Sequence, residues 1–247
     1  MKFFKKVTLL LLIMVFCMLC LNPLSASAKS KNNVEKIGNS WFYTKNGHIS
    51  SNYTGFGDNQ YGTWYCRNGK VDFGANGVLY GTYQNRTVWG YVVNGKLQQY
   101  ETVAKNSNGW WYISPNGFVD FSANTVAKNS NGWWVIQNGK VNFNYTGFAD
   151  NKYGTWYCRN GKVDFHAAGV LHGTYHNYAP WGLVNNGKLQ KQETVAKNSN
   201  GWWYISSNGF VDFSANKLAK NSDGWWFIQN GKVNFNYTGL ADNKNGT

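Results

Sequence analysis

Apolar and polar residues alternate along this chain in short runs, and the runs come in pairs around Asn-Gly. A period of two is the pattern of a strand, not of a helix. In Trp133-Trp134-Val135-Ile136-Gln137-Asn138-Gly139-Lys140-Val141-Asn142-Phe143, two β-prone runs flank Asn138-Gly139. Asn and Gly both tolerate the positive φ of a type I′ turn, so the pattern predicts a hairpin. Taking Asn138-Gly139 as the loop sets Gln137 against Lys140, Ile136 against Val141 and Trp134 against Phe143. Opposed residues share a sheet face. One face is then Trp134, Ile136, Val141 and Phe143, all apolar. The other is Trp133, Val135, Gln137, Lys140 and Asn142, mixed.

The same pattern recurs. In the run from Trp110 to Phe121 the loop has one extra residue, Pro115, which suits a three-residue turn with Gly117 left-handed. In Thr63 to Phe73, Trp64 and Cys66 fall on the apolar face with Val71 and Phe73. Polar stretches such as Ala104-Lys105-Asn106-Ser107-Asn108-Gly109 read as turns between hairpins. Units begin near Val34, Gly55, Gly77, Val103, Val126, Gly147, Gly169, Val195, Lys217 and Gly239, a spacing of about 21–26 residues. A longer period lies over the short one. Residues 55–146 align without a gap on 147–238 and differ from them at 18 of 92 positions. Gly239 to Thr247 matches Gly147 to Thr155, so it reads as a third copy in a longer array cut short, with a catalytic domain or an anchoring signal left open beyond it.

A lone hairpin is marginal in water. Units of this kind must stack on their neighbours to bury their apolar faces, as repeat proteins do. The expected fold is all-β, a solenoid of stacked β-hairpin repeats of about 21–26 residues over 34–247. Helix is disfavoured by 28 glycines, frequent Asn-Gly and period-two aromatics.

The first residues do not fit the repeat. Lys2, Lys5 and Lys6 precede an apolar run from Val7 to Leu21, and Ala26-Ser27-Ala28 follows. That order predicts a secretory signal peptide over 1–28, with 29–33 as a short linker. An N-terminal membrane anchor is the alternative, but the run is short for a span, and none remains after cleavage. Without residues 1–28 the formal charge falls from +13 to +10. The basic residues are dispersed, one or two per unit. On an exported protein this favours anionic wall polymers such as teichoic acids over nucleic acid, with simple solubility as the competing reading.

The units resemble the Gram-positive cell-wall-binding repeats. The residues that carry the likeness are Gly201-Trp202-Trp203-Tyr204-Ile205 and Asn160-Gly161-Lys162-Val163-Asp164-Phe165. They are similar to the clostridial variant of a group that includes choline-binding, glucan-binding and clostridial toxin repeats. The resemblance implies a β-solenoid with shallow aromatic sites between hairpins. In choline-binding members the sites cage a quaternary ammonium by cation–π attraction. The Gly-Trp expected at the start of a repeat is replaced here by Gly55-Phe56, Gly147-Phe148, Gly239-Leu240 and Val103-Ala104, so choline is not carried over as ligand.

Alignment on the turns separates two tryptophan positions. The second, Trp64, Trp111, Trp134, Trp156, Trp203 and Trp226, is assigned to the core. The first, on the mixed face, is Trp41, Trp89, Trp110, Trp133, Trp181, Trp202 and Trp225. These rings, with Tyr112 and Tyr204, are the candidate ligand-binding residues. They either stack on sugars or cage a cation, or they pack on the next hairpin. Asp72, Asp120, Asp164 and Asp212 recur one per hairpin and so do not form the paired carboxylates of a glycosidase. Cys66 and Cys158 replace a buried isoleucine and read as small hydrophobes. His166, His172 and His176 occur in one copy alone, without ligand spacing. No nucleophile elbow, phosphate loop or zinc motif is found, so no catalytic, cofactor or metal residue is assigned.

The expectation is a secreted, non-catalytic array that attaches to a cell-wall polymer, either teichoic acid or another wall polysaccharide, or to a glycan. Two alternatives stay open: the targeting half of a wall hydrolase, and a host-glycan-binding adhesin or toxin-like module.

Overall fold

A computed structural model describes residues 33–241. The signal-peptide expectation, all but Asn33 of the linker, and the segment 242–247 lie outside the described residues. Within them every regular element is a β-strand, twenty-five in all, from Val34–Ile37 to Lys232–Val233. The all-β solenoid of repeated hairpins is what the chain forms.

Most units contain three strands, and those near Val103 and Val195 contain two with an isolated bridge in place of the third. The unit around Asn138-Gly139 has Thr125–Asn129, Gly132–Gln137 and the two-residue Lys140–Val141. Gln137 faces Lys140 and Ile136 faces Val141, as the turn alignment requires. Asn138 (φ 49°) and Gly139 (φ 74°) take the positive φ of that turn, and Gly117 (φ 90°) is left-handed in its longer loop.

Two expectations are corrected here. The stretch Ala104 to Gly109 is not a linker between hairpins. It belongs to the strand Thr102–Asn106, which turns at Ser107-Asn108 and pairs with Gly109–Ile113. Val103 and Ala104 are both buried, because consecutive strand residues point to opposite faces and both faces are covered. Lys105 and Asn106 lie at the hairpin tip, and their polarity hides the strand. The second correction concerns Phe143. The ladder stops at Val141, and the Asn144 amide donates to Asn142 Oδ1, which turns the chain out of the sheet. Phe143 is 46% exposed and meets Trp134 edge-on, with centroids 5.7 Å apart. Phe73, Phe121, Phe165, Phe213 and Phe235 are exposed in the same way.

The core lies between units. Val126 and Val135 pack on Cys158 and Val163 of the following unit. Ile136, Val141 and Ala127 pack on Val103 of the preceding one. The face read as mixed therefore also reaches the core, through Val135, which is 2% exposed, while Gln137 and Lys140 at its turn end stay exposed. Burying one such aliphatic side chain contributes roughly 1.5–3 kcal/mol. The backbone stitches the same interfaces. The Val135 amide donates to the Gly161 carbonyl at 2.8 Å, and Tyr112 to Gly139 and Tyr157 to Gly187 do likewise at 2.8 Å.

The 92-residue copies differ most in one hairpin. Gly77–Tyr83 pairs with Arg86–Val93 over seven positions. Its counterpart, Gly169–His172 with Trp181–Asn185, pairs over four. Pro180 stands where the first copy has Val88, and proline cannot donate to the ladder.

Candidate functional site

Each strand that begins Gly-x-Trp brings its second tryptophan to the rim of the stack, where one recurrent arrangement holds it. Trp134 Nε1 donates to Asn129 Oδ1 at 3.0 Å, across the hairpin. Trp64, Trp111, Trp156, Trp203 and Trp226 repeat this bond to Asn59, Asn106, Asn151, Asn198 and Asn221. The phenylalanine after the turn meets the ring edge-on. A lysine from the following unit covers the ring: Lys162 Nζ lies 5.3 Å from the Trp134 centroid and Lys140 Nζ 5.2 Å from that of Trp111. Lys96, Lys188 and Lys232 do the same over Trp64, Trp156 and Trp203. The lysine stem runs across the glycine that opens the strand. At Gly109 (φ +134°) a Cβ would sit 2.6 Å from Lys140 Cε, so a side chain there would expel the lysine.

The second set flanks the core to which the sequence assigns it: all six rings are partly buried and pack against the buried clusters. None of the thirteen tryptophans is fully buried. An indole has too much area for an interface built from Val, Ala, Ile and Cys. It settles at the rim, where its N–H finds a partner.

The first set meets the second across each interface. Trp110 stacks near Trp134 (6.3 Å, 26°) and Trp202 near Trp226 (5.7 Å, 23°). Trp89 and Trp133 lie 5.3 Å from Trp111 and Trp156 at steeper tilts. Trp41 and Trp181 join the clusters that contain Trp64 and Trp203. Trp225 is 51% exposed, with Lys220 Nζ 5.9 Å from its centroid. Lys105 and Lys197 likewise approach Trp110 and Trp202. The candidate residues are thus spread along the stack, and their rings pack on the next hairpin.

One cavity brings two of them together. Tyr112 and Trp133 line a cavity of about 300 Å³ with Glu101, Lys128, Lys152 and Tyr153, drawn from three successive units. Lys152 Nζ is 5.2 Å from the Tyr153 ring and 4.0 Å from Glu101 Oε2. Tyr153 lies 5.8 Å from Trp133. Glu101, Lys152 and Tyr153 were not picked out from the sequence. A signal was present, since Lys152-Tyr153 stands at a hairpin tip where sister units carry Ser107-Asn108 or Ser130-Asn131. A second cavity, about 480 Å³, has Tyr80, Trp89 and Lys105 in its wall.

The recurrent aspartates shape turns. Asp120 Oδ1 accepts from the Ser122 amide and hydroxyl, and Asp212 does so from Ser214. Those hydrogen bonds hold both carboxyls below the ordinary range. Asp72 and Asp164 pair with Arg67 and Arg159. His176 lies 3.5 Å from Asp150, while His172 packs beside Trp181. Cys66 and Cys158 are fully buried in separate clusters, and burial pushes both thiols up to about 12.

The family model described as choline-binding repeat matches six segments: 52–72, 99–114, 122–142, 144–164, 193–212 and 218–234. These six segments are choline-binding repeats by that match, as the resemblance of the units to wall-binding repeats implied. The stretches 73–98 and 165–192, which the six matches leave out, hold the long hairpin and its shortened copy. Among solved structures, the chain is similar to CbpJ of Streptococcus pneumoniae TIGR4. The identity is 18% over 79% of this chain and 58% of that one, with a TM-score of 0.32. It is also similar to choline binding protein F of Streptococcus pneumoniae, at 18% over 81% and 58%, TM-score 0.30. A third is the pneumococcal cell wall endolysin from phage Cp-1 complexed with choline, at 16% over 69% and 40%, TM-score 0.25. The chain spans 58% of the length of the first two. No curated protein sequence matches it.

Proposed function

We propose that the chain is a secreted, non-catalytic wall-binding array that attaches to an anionic cell-wall polymer through many weak aromatic and lysine contacts. The observation that carries this is the lysine ammonium held on a tryptophan face at successive interfaces. A cation–π pair at an exposed site is worth about 0.5–1 kcal/mol. The lysine therefore competes with a cationic ligand for the ring, yet remains free to meet a phosphate or carboxylate. The net positive charge acts in the same direction. The six family segments support a wall-directed module. Repetition converts weak contacts into avidity.

The test is retention of the protein on purified Gram-positive walls, washed with salt, free sugars or choline. Retention that falls with salt and resists choline supports the anionic-polymer reading. Elution by choline at low salt would replace it with a quaternary-ammonium ligand. Alanine at Trp110, Trp133 and Trp202 weakens retention several-fold while far-UV circular dichroism is unchanged. No retention on any wall or glycan preparation overturns the proposal.

A further inference from the structure

The two long repeats carry the same acid–phenol pair, and the chain itself fills one of the two. In the second copy, Lys217 Nζ donates to Glu193 Oε1 at 2.8 Å and to Tyr204 OH at 3.3 Å. It also lies 5.0 Å from the Tyr204 ring centroid. In the first copy the counterparts of Glu193 and Tyr204 are Glu101 and Tyr112, but the counterpart of Lys217 is Thr125. The burial follows the substitution. Tyr204 is 5% exposed, whereas Tyr112 is only half-buried and lines the cavity with Thr125. Glu101 still bears on Tyr112, whose phenol is raised by burial first and by that carboxylate second. Lys152 approaches Glu101 from two units further along but stops at 4.0 Å, beyond hydrogen-bond reach.

We propose that the Glu101–Tyr112 pocket binds a primary ammonium carried by the wall polymer, in the place that Lys217 takes at Glu193–Tyr204. The twin site supplies the geometry of the bound group: two N–H donors to a carboxylate and a phenol, with the charge over a ring. A quaternary ammonium has no N–H and cannot make those bonds. Trp133 and Tyr153 flank the cavity and offer stacking surface to a sugar. Lys128 and Lys152, in the same wall, favour a ligand with an anion beside the amine. The inference rests on the wall-polymer reading for the source of the ligand, and the pocket chemistry is tested apart from it.

The probes are glucosamine 6-phosphate, N-acetylglucosamine 6-phosphate and choline, titrated into the full chain by calorimetry. The amine is expected to bind with one site per chain and at least about tenfold more tightly than its acetylated form. Losing one charge-assisted hydrogen bond accounts for a factor of that size. Glu101→Gln weakens the amine at least about tenfold. Thr125→Lys, which copies the filled twin, abolishes binding, while Thr125→Val retains it. Unchanged near-UV circular dichroism shows that the variants are folded. Equal binding of amine and amide, choline binding as tightly as the amine, or indifference to both Glu101→Gln and Thr125→Lys each overturns the proposal. Amine binding without wall retention would count against the wall reading alone. Wall retention without amine binding would count against the pocket alone.

Discussion

Asn129 holds more of a repeat together than its size implies. Its Oδ1 accepts from Trp134 Nε1 and from the Asn131 amide, and its Nδ2 donates to the Val103 carbonyl of the preceding unit. Asn129→Ala is expected to cost about 1–3 kcal/mol, read as a lower urea midpoint at unchanged slope. Asn129→Asp keeps both acceptor contacts and costs less. The cysteines behave oppositely, as inert filling. With both thiols buried and pushed up to about 12, neither carries appreciable thiolate at pH 8. A thiol reagent at that pH should leave Cys66 and Cys158 unlabelled in the folded chain and label both in urea, located by peptide mass spectrometry. The small-hydrophobe role of these cysteines was legible because a sister unit has isoleucine there. The tryptophan roles were not. Alignment sees which rings share a face, but which part of an interface a ring reaches depends on the neighbouring unit.

At the scale of the element, the turn chemistry carried the reading. Asn-Gly set the register of the short third strand, and that register is observed. The first strand of each unit was hidden because Lys and Asn at its tip resemble a linker. Its two buried residues, such as Val103 and Ala104, make too short a run to declare a period. Each 92-residue block is also latched by a tyrosine just before its first residue, which no local pattern announces. Tyr145 OH reaches the carbonyls of Phe148 and Thr174, 2.5 and 3.0 Å away, and Tyr53 does the same to Phe56 and Thr82. Removing the hydroxyl takes that donor from the Phe148 carbonyl, while the Thr174 carbonyl keeps the Phe148 amide. Tyr145→Phe should therefore cost about 1–3 kcal/mol and speed amide exchange at Phe148, whose N–H donates to Thr174. Unchanged exchange there would mean that the latch does not hold the hairpin.

For the whole molecule, buried acids of high pKa govern the alkaline side. Cys66, Cys158 and Tyr145 are each pushed up to about 12, and Tyr53, Tyr65, Tyr157 and Tyr204 are raised too, burial being the first cause in every case. A raised folded pKa means that the native chain keeps protons the unfolded chain gives up. Stability is then full below about pH 8.5, where the unfolded thiols begin to ionise, and falls as pH climbs toward 12. Thermal midpoints measured from pH 7 to 11 should drop steadily above about pH 9. A flat profile would show that these groups are solvated in the folded state.

The sequence by itself determined the fold class and the position of the Asn-Gly turns, because hairpin chemistry is local: Asn-Gly, alternation and spacing act within a dozen residues. The likeness of residues 55–146 to 147–238 was equally visible, including the change from Thr125 to Lys217. Tertiary structure alone decided what that change does. Whether Glu101 and Tyr112 form an open pocket depends on three units meeting, at residues up to about fifty positions apart in the chain. It also decided that both sheet faces contribute to a core, since Ile136 and Val135 pack on different neighbours and a single hairpin contains neither.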